Sequence, residues 1–526
     1  MKKILTFVFL LTLALQAGAQ AWTDALTYAE NDYLGTARSV GMGNAMTAVG
    51  GDLGSLTFNP AGSAVAGYSQ FTITPGFSFS TVTAQGSYGD GFQDRLKTGK
   101  GRMGMPNFGA MMSYDTRNTR GLKRVTFGVV GNVTRDYTNK LRATGTNTST
   151  TLAGSLASQA VGYDVEILNG SYDQRVMPSW EAMVGWKSGI FELLDGQYVG
   201  LTESILDNQD VVLTDKIGQY YGVERRGSKY DLLMNFGMDF NDRFYLGANI
   251  GITTLNYRSD ETRSENKVSG IDYGDDFEYL RLRSALTEEG SGIFAKIGFI
   301  ARPFSGFRIG GAIQTPTVIH LHEGYQLEGS SLAYNEPASA SSPDDEWLYN
   351  VVSPWRANVG VAYTIGKLGL VSADYEYTDF RGMKFTAYES DSDYDFRYQN
   401  QDIQDFLGPV HAIRLGAELK PAPQYAIRVG YNLATGAQYN TLASDNRVVA
   451  LSRQERKEQI RTAVSFGAGY SSAGSFFADF AIRFQYLANE YITPYYYYNT
   501  TEEVVTPEIC GQNALCNALL TLGWRF

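Results

Sequence analysis

Four cations in this sequence, Lys296, Arg414, Arg428 and Arg483, fall inside stretches where apolar and polar residues alternate, each on the polar side. Arginine offers paired donors that match a carboxylate, so these four are candidate ligand-binding residues for an acidic head group. Asp374, Glu376, Glu418 and Asp479 point the same way. Bases balanced by acids favour the plainer reading, an internal ladder of ion pairs. His320 and His322 would share one face of a strand, but His411 is remote, so no metal site is assigned. There is no Gly-x-Ser-x-Gly, and no histidine stands in an evident nucleophile context. No catalytic residue and no cofactor are therefore assigned, and the chain is not read as an enzyme. Cys510 and Cys516 are the only cysteines. Both are expected in one short loop before the last strand, where a disulfide would add only ~2 kcal/mol.

The elements that must hold these residues are strands. The chain ends with Leu520, Leu522, Trp524 and Phe526 alternating with Leu519, Thr521, Gly523 and Arg525. Period-two alternation sets an apolar face against a polar one. It recurs at 68–86, 105–116, 122–137, 229–240, 243–258, 290–302, 307–320, 350–363, 367–380, 409–420, 423–436, 461–471, 474–488 and 517–526. Short turns such as Asn241-Asp242 and Ser472-Ala473 follow the even-numbered strands, and long polar gaps follow the odd ones. An even count with short turns on one side is the pattern of a single-chain membrane barrel. Phe244, Leu246, Ala248, Ile250 and Ile252 must face lipid, because charge at the midplane costs ~2–4 kcal/mol there. The arginines then line the lumen.

Export agrees with a barrel. Lys2 and Lys3 precede an apolar run from Ile4 to Leu15, and Ala17-Gly18-Ala19 is a small-residue cleavage site, so 1–19 is read as a signal peptide. No later uncharged apolar run is long enough for a membrane-spanning helix. The formal charge is −11, and losing the leader removes two more lysines, which argues against nucleic-acid partners. The 35 tyrosines and 28 phenylalanines suit membrane-interface girdles, and the 57 glycines suit curved strands. The fold class is all-β: a transmembrane antiparallel β-barrel of about fourteen strands with long extracellular loops, in the outer membrane of a Gram-negative bacterium.

Residues 20–66 lack clean alternation, and small residues dominate them. Such a segment can fold back into the lumen as a plug, leaving 67–526 as the barrel. It carries Gly41-Met42-Gly43-Asn44-Ala45 and, just before the first strand, Asn59-Pro60-Ala61. These residues resemble the FadL/OmpP1/TodX outer-membrane transporters. The resemblance is specific over about 36–66 and elsewhere rests on architecture. It implies that Asn59, Pro60 and Ala61 form the hatch of the plug. It also implies passive uptake of long-chain fatty acids or other hydrophobic small molecules, with a lateral exit at a kinked third strand. Gly128 and Gly131 are the candidate gate residues there. Composition alone would point to Pro75 or Pro316, since proline deletes a ladder hydrogen bond. The bland alternative is that Asn59-Pro60-Ala61 is a structural turn and that the glycines and prolines mark bulges.

Two long loops are apolar. Trp180, Met183, Val184, Ile190, Phe191 and Leu194 recur at near-helical spacing in the second, and Phe277, Leu280, Leu282 and Leu286 in the third. They read as a lid, as a greasy landing groove, or as both. The expected partners are a hydrophobic small molecule and outer-membrane lipid, with the chain a monomer. The rival is a barrel partner of a protein-secretion system, whose loops would bind exported protein.

Overall fold

In the computed structural model, fourteen strands wind around the barrel in chain order and close on themselves. It describes residues 21–526 apart from 173–177, 208–209, 272, 274–276, 389–394, 443–446 and 497–505, so the leader at 1–19 lies outside the described residues. The first seven strands are β1 (Gln70–Tyr88), β2 (Leu96–Asp115), β3 (Leu122–Asp136, continued by Asn139–Asn147), β4 (Ile217–Phe240), β5 (Phe244–Asn266), β6 (Tyr279–Ala301) and β7 (Phe307–Gln314 and Val318–Ala333). The others are β8 (Asp345–Val352 and Arg356–Ile365), β9 (Gly369–Asp379), β10 (Pro409–Ala422), β11 (Tyr425–Ala434), β12 (Arg461–Ser471), β13 (Phe476–Tyr486) and β14 (Glu508–Arg525). Each pairs antiparallel with its sequence neighbours, and β14 pairs with both β13 and β1. At the β4–β5 hairpin, Asn241 (φ 59°) and Asp242 (φ 56°) take the two left-handed positions that a two-residue turn between twisted strands requires.

The faces fall as alternation demands. On β11, Tyr425, Ile427 and Val429 point outward while Arg428 is buried. On β13, Phe480 and Phe484 point outward while Asp479 and Arg483 are buried. In a soluble protein this would be inside out. It suits a wall solvated by hydrocarbon.

The sequence ranges are too short at the outer ends. β2 begins at Leu96, not 105; β7 runs to Ala333, not 320; and β14 begins at Glu508, not 517. The reason is visible on β5. Ile252 is its last apolar outward residue; beyond it Thr254, Asn256 and Arg258 face outward while Leu255 and Tyr257 face inward. Above the lipid the phase of the alternation inverts, and the inverted stretches read as loops. Leu280, Leu282 and Leu286 accordingly belong to β6, not to a loop.

The disulfide expectation fails for the same reason. Cys510 and Cys516 lie within β14 on its outward face, and both thiols are free. Six residues of strand separate them by about 20 Å, and no disulfide reaches that far.

Ahead of β1 come helices α1 (Trp22–Ala29) and α2 (Ala37–Gly41). The β3–β4 connection supplies α3 (Leu152–Ala160) and α4 (Trp180–Lys187), and α5 (Arg397–Phe406) precedes β10. Leu152, Leu156, Met183, Val184, Ile190 and Phe191 pack with Phe277, Leu280 and Leu282 into one apolar core. The two apolar sets therefore bury each other. Leu194 stays 42% exposed outside that core.

Candidate functional site: the lumen and its wall

Residues 30–66 are tied to the barrel interior on many sides. Asn235 of β4 donates to Pro60 O (2.9 Å), Asn249 of β5 to Leu56 O (2.9 Å), and Ser372 of β9 to Ala45 O (2.8 Å). On the far side, Ala37 N donates to Thr521 Oγ1 of β14 (2.7 Å). Inward glycines make the approach possible. A Cβ at Gly247 would stand 2.3 Å from Pro60 C, one at Gly298 2.2 Å from Asn59 Oδ1, and one at Gly310 2.3 Å from Thr47 O. Across the barrel, a Cβ at Gly416 would lie 2.4 Å from Met42 O, and one at Gly430 2.0 Å from Gly43 N. Gly247 and Gly298 are register partners, as are Gly416 and Gly430. This belt lets segment backbone meet wall backbone, which no other residue type permits.

Asn59, Pro60 and Ala61 sit at the heart of this contact, all fully buried. Asn59 Oδ1 accepts from Ala61 N (3.0 Å) and caps the turn that Pro60 begins. Its Nδ2 donates to Thr47 O (2.8 Å) and to Phe299 O of β6 (2.9 Å). One side chain thus shapes the turn and fastens it to the wall.

The four luminal cations are brought into the barrel but are engaged by protein. Lys296 donates to Thr57 O. Arg414 pairs with Glu376 (2.7 Å). Arg428 pairs with Glu418 (2.6 Å) and Asp479 (2.6 Å), and Arg483 pairs with Asp32. Sequence reading missed the segment's own charges. Arg38 joins Glu418 (3.0 Å), and Glu30 joins Arg461 (2.8 Å) and Arg135 (3.3 Å). The ladder therefore runs between wall and segment as well as along the wall. A cavity of about 50 Å³ beside Glu30, Asp32, Tyr33, Glu376 and Arg414 has room for a little water.

Above the ladder, α1 fills an apolar chamber. Ala25, Tyr28 and Ala29 pack among Leu255, Tyr257, Leu321, Tyr349, Phe385 and Ile403, and Trp22 stacks on Phe406 of α5 at 5.6 Å. Lys229 Nζ donates to Tyr28 O (2.7 Å) and Glu30 O (2.6 Å), and Arg356 donates to Ala29 O (2.5 Å), so cations satisfy the carbonyl end of the helix. A larger cavity, about 740 Å³, lies elsewhere: an open polar groove by Gln93, Tyr220, Arg281 and Arg283 that offers little to an apolar ligand. His320 and His322 stand on the outward face of β7, where His320 Nδ1 bonds Asn350 Oδ1 (2.5 Å) and His322 lies 3.4 Å from Glu346.

One seam in the wall lacks its ladder. β2 pairs with β3 only from Asp115↔Arg124 to Asn107↔Asn132, so Leu96–Pro106 has β1 on one edge and, among the described residues, no paired strand on the other. The break coincides with Pro106 and with a register shift around Pro75 on β1. It falls within the lipid-facing height, since Phe77 and Phe79 of β1 pair with Met103 and Gly101. Gly128 and Gly131 lie just below it, paired with Met111 and Phe108. Gly131 leaves room for Phe108 of β2 to stack on Tyr230 of β4 (5.9 Å) across β3. Above the break, side chains replace the ladder. Arg102 donates to Gly227 O (2.6 Å), and Glu224 takes Lys100 (2.7 Å) and Lys140 (2.8 Å). Glu224 is six residues beyond Tyr230 on β4 and lies between its two lysine partners. Pro316 also interrupts its strand, but β7 keeps its neighbours above and below that break.

A solved Pseudomonas aeruginosa FadL homologue aligns over 94% of this chain and 99% of its own, with a TM-score of 0.51 at 13% identity. The chain has the FadL fold. The P. putida toluene transporter TodX gives a TM-score of 0.48 at 13% identity over the same shares of the two chains, 94% and 99%. No protein-family model and no curated protein matches the sequence. In this FadL-fold chain the pairing gap lies where β2 leaves β3, next to Pro106 and across β2 from the register shift at Pro75 on β1.

Proposed function

We propose that this chain passes hydrophobic small molecules, long-chain fatty acids or compounds like them, inward across the outer membrane of a Gram-negative bacterium. Residues 20–66 act as the plug, and the barrel of 67–526 is the conduit. The ligand leaves sideways between β2 and β3, and its concentration gradient drives the movement. The observation that carries this reading is the seam. A wall in hydrocarbon must satisfy its backbone groups, and a closed barrel has no reason to leave an edge unless that edge is used. Here the edge is spanned by half-exposed ion pairs, each worth about 0–1 kcal/mol, where a ladder would be far stronger.

Glu224→Gln removes both lysine pairs and leaves the strands intact. Uptake of a labelled fatty acid into proteoliposomes is expected to rise about 3–10-fold, the ratio that roughly 1 kcal/mol of weakened latch gives. Unchanged or reduced uptake would count against an exit at this seam.

A further inference from the structure

Two carboxyls in the barrel mouth face each other with nothing to neutralise them. Glu288 of β6 and Glu323 of β7 are direct register partners, 0% and 1% exposed. Each stands five residues beyond the last outward apolar residue of its strand, Ile293 and Val318, so the pair lies outside the lipid-facing stretch. Tyr28 of α1 donates to Glu288 Oε1 (3.0 Å). The Tyr349 hydroxyl of β8 lies 2.8 Å from the same oxygen and 2.9 Å from Glu323 Oε2. The remaining oxygens, Glu288 Oε2 and Glu323 Oε1, are buried without a partner. Among the described residues, neither carboxyl has an ion pair with lysine, arginine or histidine.

Like charges directly opposed on a sheet destabilise it, and two buried carboxylates cannot both ionise cheaply. One proton between the two orphaned oxygens removes both faults. It neutralises one charge and converts two unsatisfied acceptors into one hydrogen bond. A tyrosine hydroxyl has a single hydrogen, so Tyr349 donates to one of the two acids at a time.

We propose that Glu288 and Glu323 share a proton, and that this protonated pair is a clasp that holds α1 in the barrel mouth through Tyr28. Taking the proton away leaves two buried charges beneath α1, and undocking the helix lets water reach them. The surroundings reinforce the clasp. From α1 comes Asp24, from β8 Asp345 and Tyr349, and from β5 and the β3 end Tyr257 and Tyr137. Arg225 of β4 faces Tyr257 but is bound to Glu490 (2.5 Å). Burial pushes both carboxyls above the usual range, and the neighbouring acid pushes Glu288 further. The sign follows. Docked α1 keeps a proton that the solvated pair gives up, so docking is strongest below the ordinary carboxylate pKa and weakens as pH rises through the raised one. The clasp concerns α1 alone and holds whether or not a ligand leaves by the β2–β3 seam.

The test reads exposure of α1 in the full-length barrel in detergent, with Cys510→Ser and Cys516→Ser removing the native thiols. Ala25→Cys reports the buried side of α1, and Thr23→Cys, on its exposed side, corrects for the intrinsic pH dependence of thiol labelling. From about pH 5 to about pH 10, the span in which ordinary and raised carboxyls titrate, the corrected labelling rate at position 25 is expected to rise at least about tenfold. Glu288→Gln with Glu323→Gln should flatten the profile. A flat profile in the parent, or a full rise in Glu288→Gln with Glu323→Gln, overturns the proposal. So does labelling that responds to a chelator at fixed pH, since a cation and not a proton would then bridge the acids.

Discussion

Gly298→Ala is expected to expel the amino-terminal segment from the barrel while leaving the wall folded. The added carbon would lie 2.2 Å from Asn59 Oδ1 and 3.0 Å from Pro60 Cδ. Neither neighbour is the free end of a flexible chain. Asn59 is held by Thr47 O, Phe299 O and Ala61 N, and Pro60 is rigid. Relief requires the turn to lift away, which leaves buried donors and acceptors unpaired. Overpacking at ~1–3 kcal/mol plus at least one lost buried hydrogen bond gives about 3 kcal/mol, near a hundredfold shift toward the undocked segment. Single-channel recording should show a large rise in conductance to small ions. Gly104→Ala is the control, because a carbon there meets nothing within 4 Å. Conductance equal to the parent in Gly298→Ala would mean that the segment does not close the lumen.

Arg428→Met should lower stability more than any change on the lipid face. Arg428 serves two buried acids, Glu418 and Asp479, at 2.6 Å each. Glu418 retains Arg38, but Asp479 is left as an uncompensated buried charge. Removing one partner of a buried pair costs about 3–5 kcal/mol, whereas replacing both with apolar groups is often neutral. The temperature at which the folded band is lost on electrophoresis should therefore fall sharply in Arg428→Met, and it should recover in part when Asp479→Leu is added. If Arg428 were kept for a ligand's head group, the single variant would lose binding and keep its stability. The same comparison applies to Arg414 with Glu376.

Much of this architecture was legible from one line of sequence because a lipid-facing wall imposes period two without exception. Tyr425, Ile427 and Val429 have no other stable place, and the short turns at Asn241-Asp242 and Ser472-Ala473 give direction to every strand. What could not be read is what depends on two strands at once. The glycines at 247 and 298 look like ordinary small residues until register sets them side by side under Asn59. Glu288 and Glu323 are unremarkable until the ladder pairs them. Cys510 and Cys516 were misplaced because β14 inverts its pattern above the lipid, and polar residues such as Gln512 and Asn513 then look like loop. The candidate gate glycines fell one step below the break, since Gly131 makes room for an aromatic stack and the strand that departs is β2.

The measurement that bears most directly on the account is uptake through a locked seam. In a background with Cys510→Ser and Cys516→Ser, Lys100→Cys and Glu224→Cys place thiols on the two sides of the gap, at side chains that already touch (2.7 Å). A flexible bis-maleimide then joins β2 to β4 above the break without asking for disulfide geometry. Locked proteoliposomes are predicted to bind labelled fatty acid as before and to lose at least about nine-tenths of its transfer, while neither single-cysteine protein treated alike falls below the parent rate, Glu224→Cys exceeding it because both lysine pairs are gone. Full transfer through the locked barrel would contradict a lateral exit between β2 and β3.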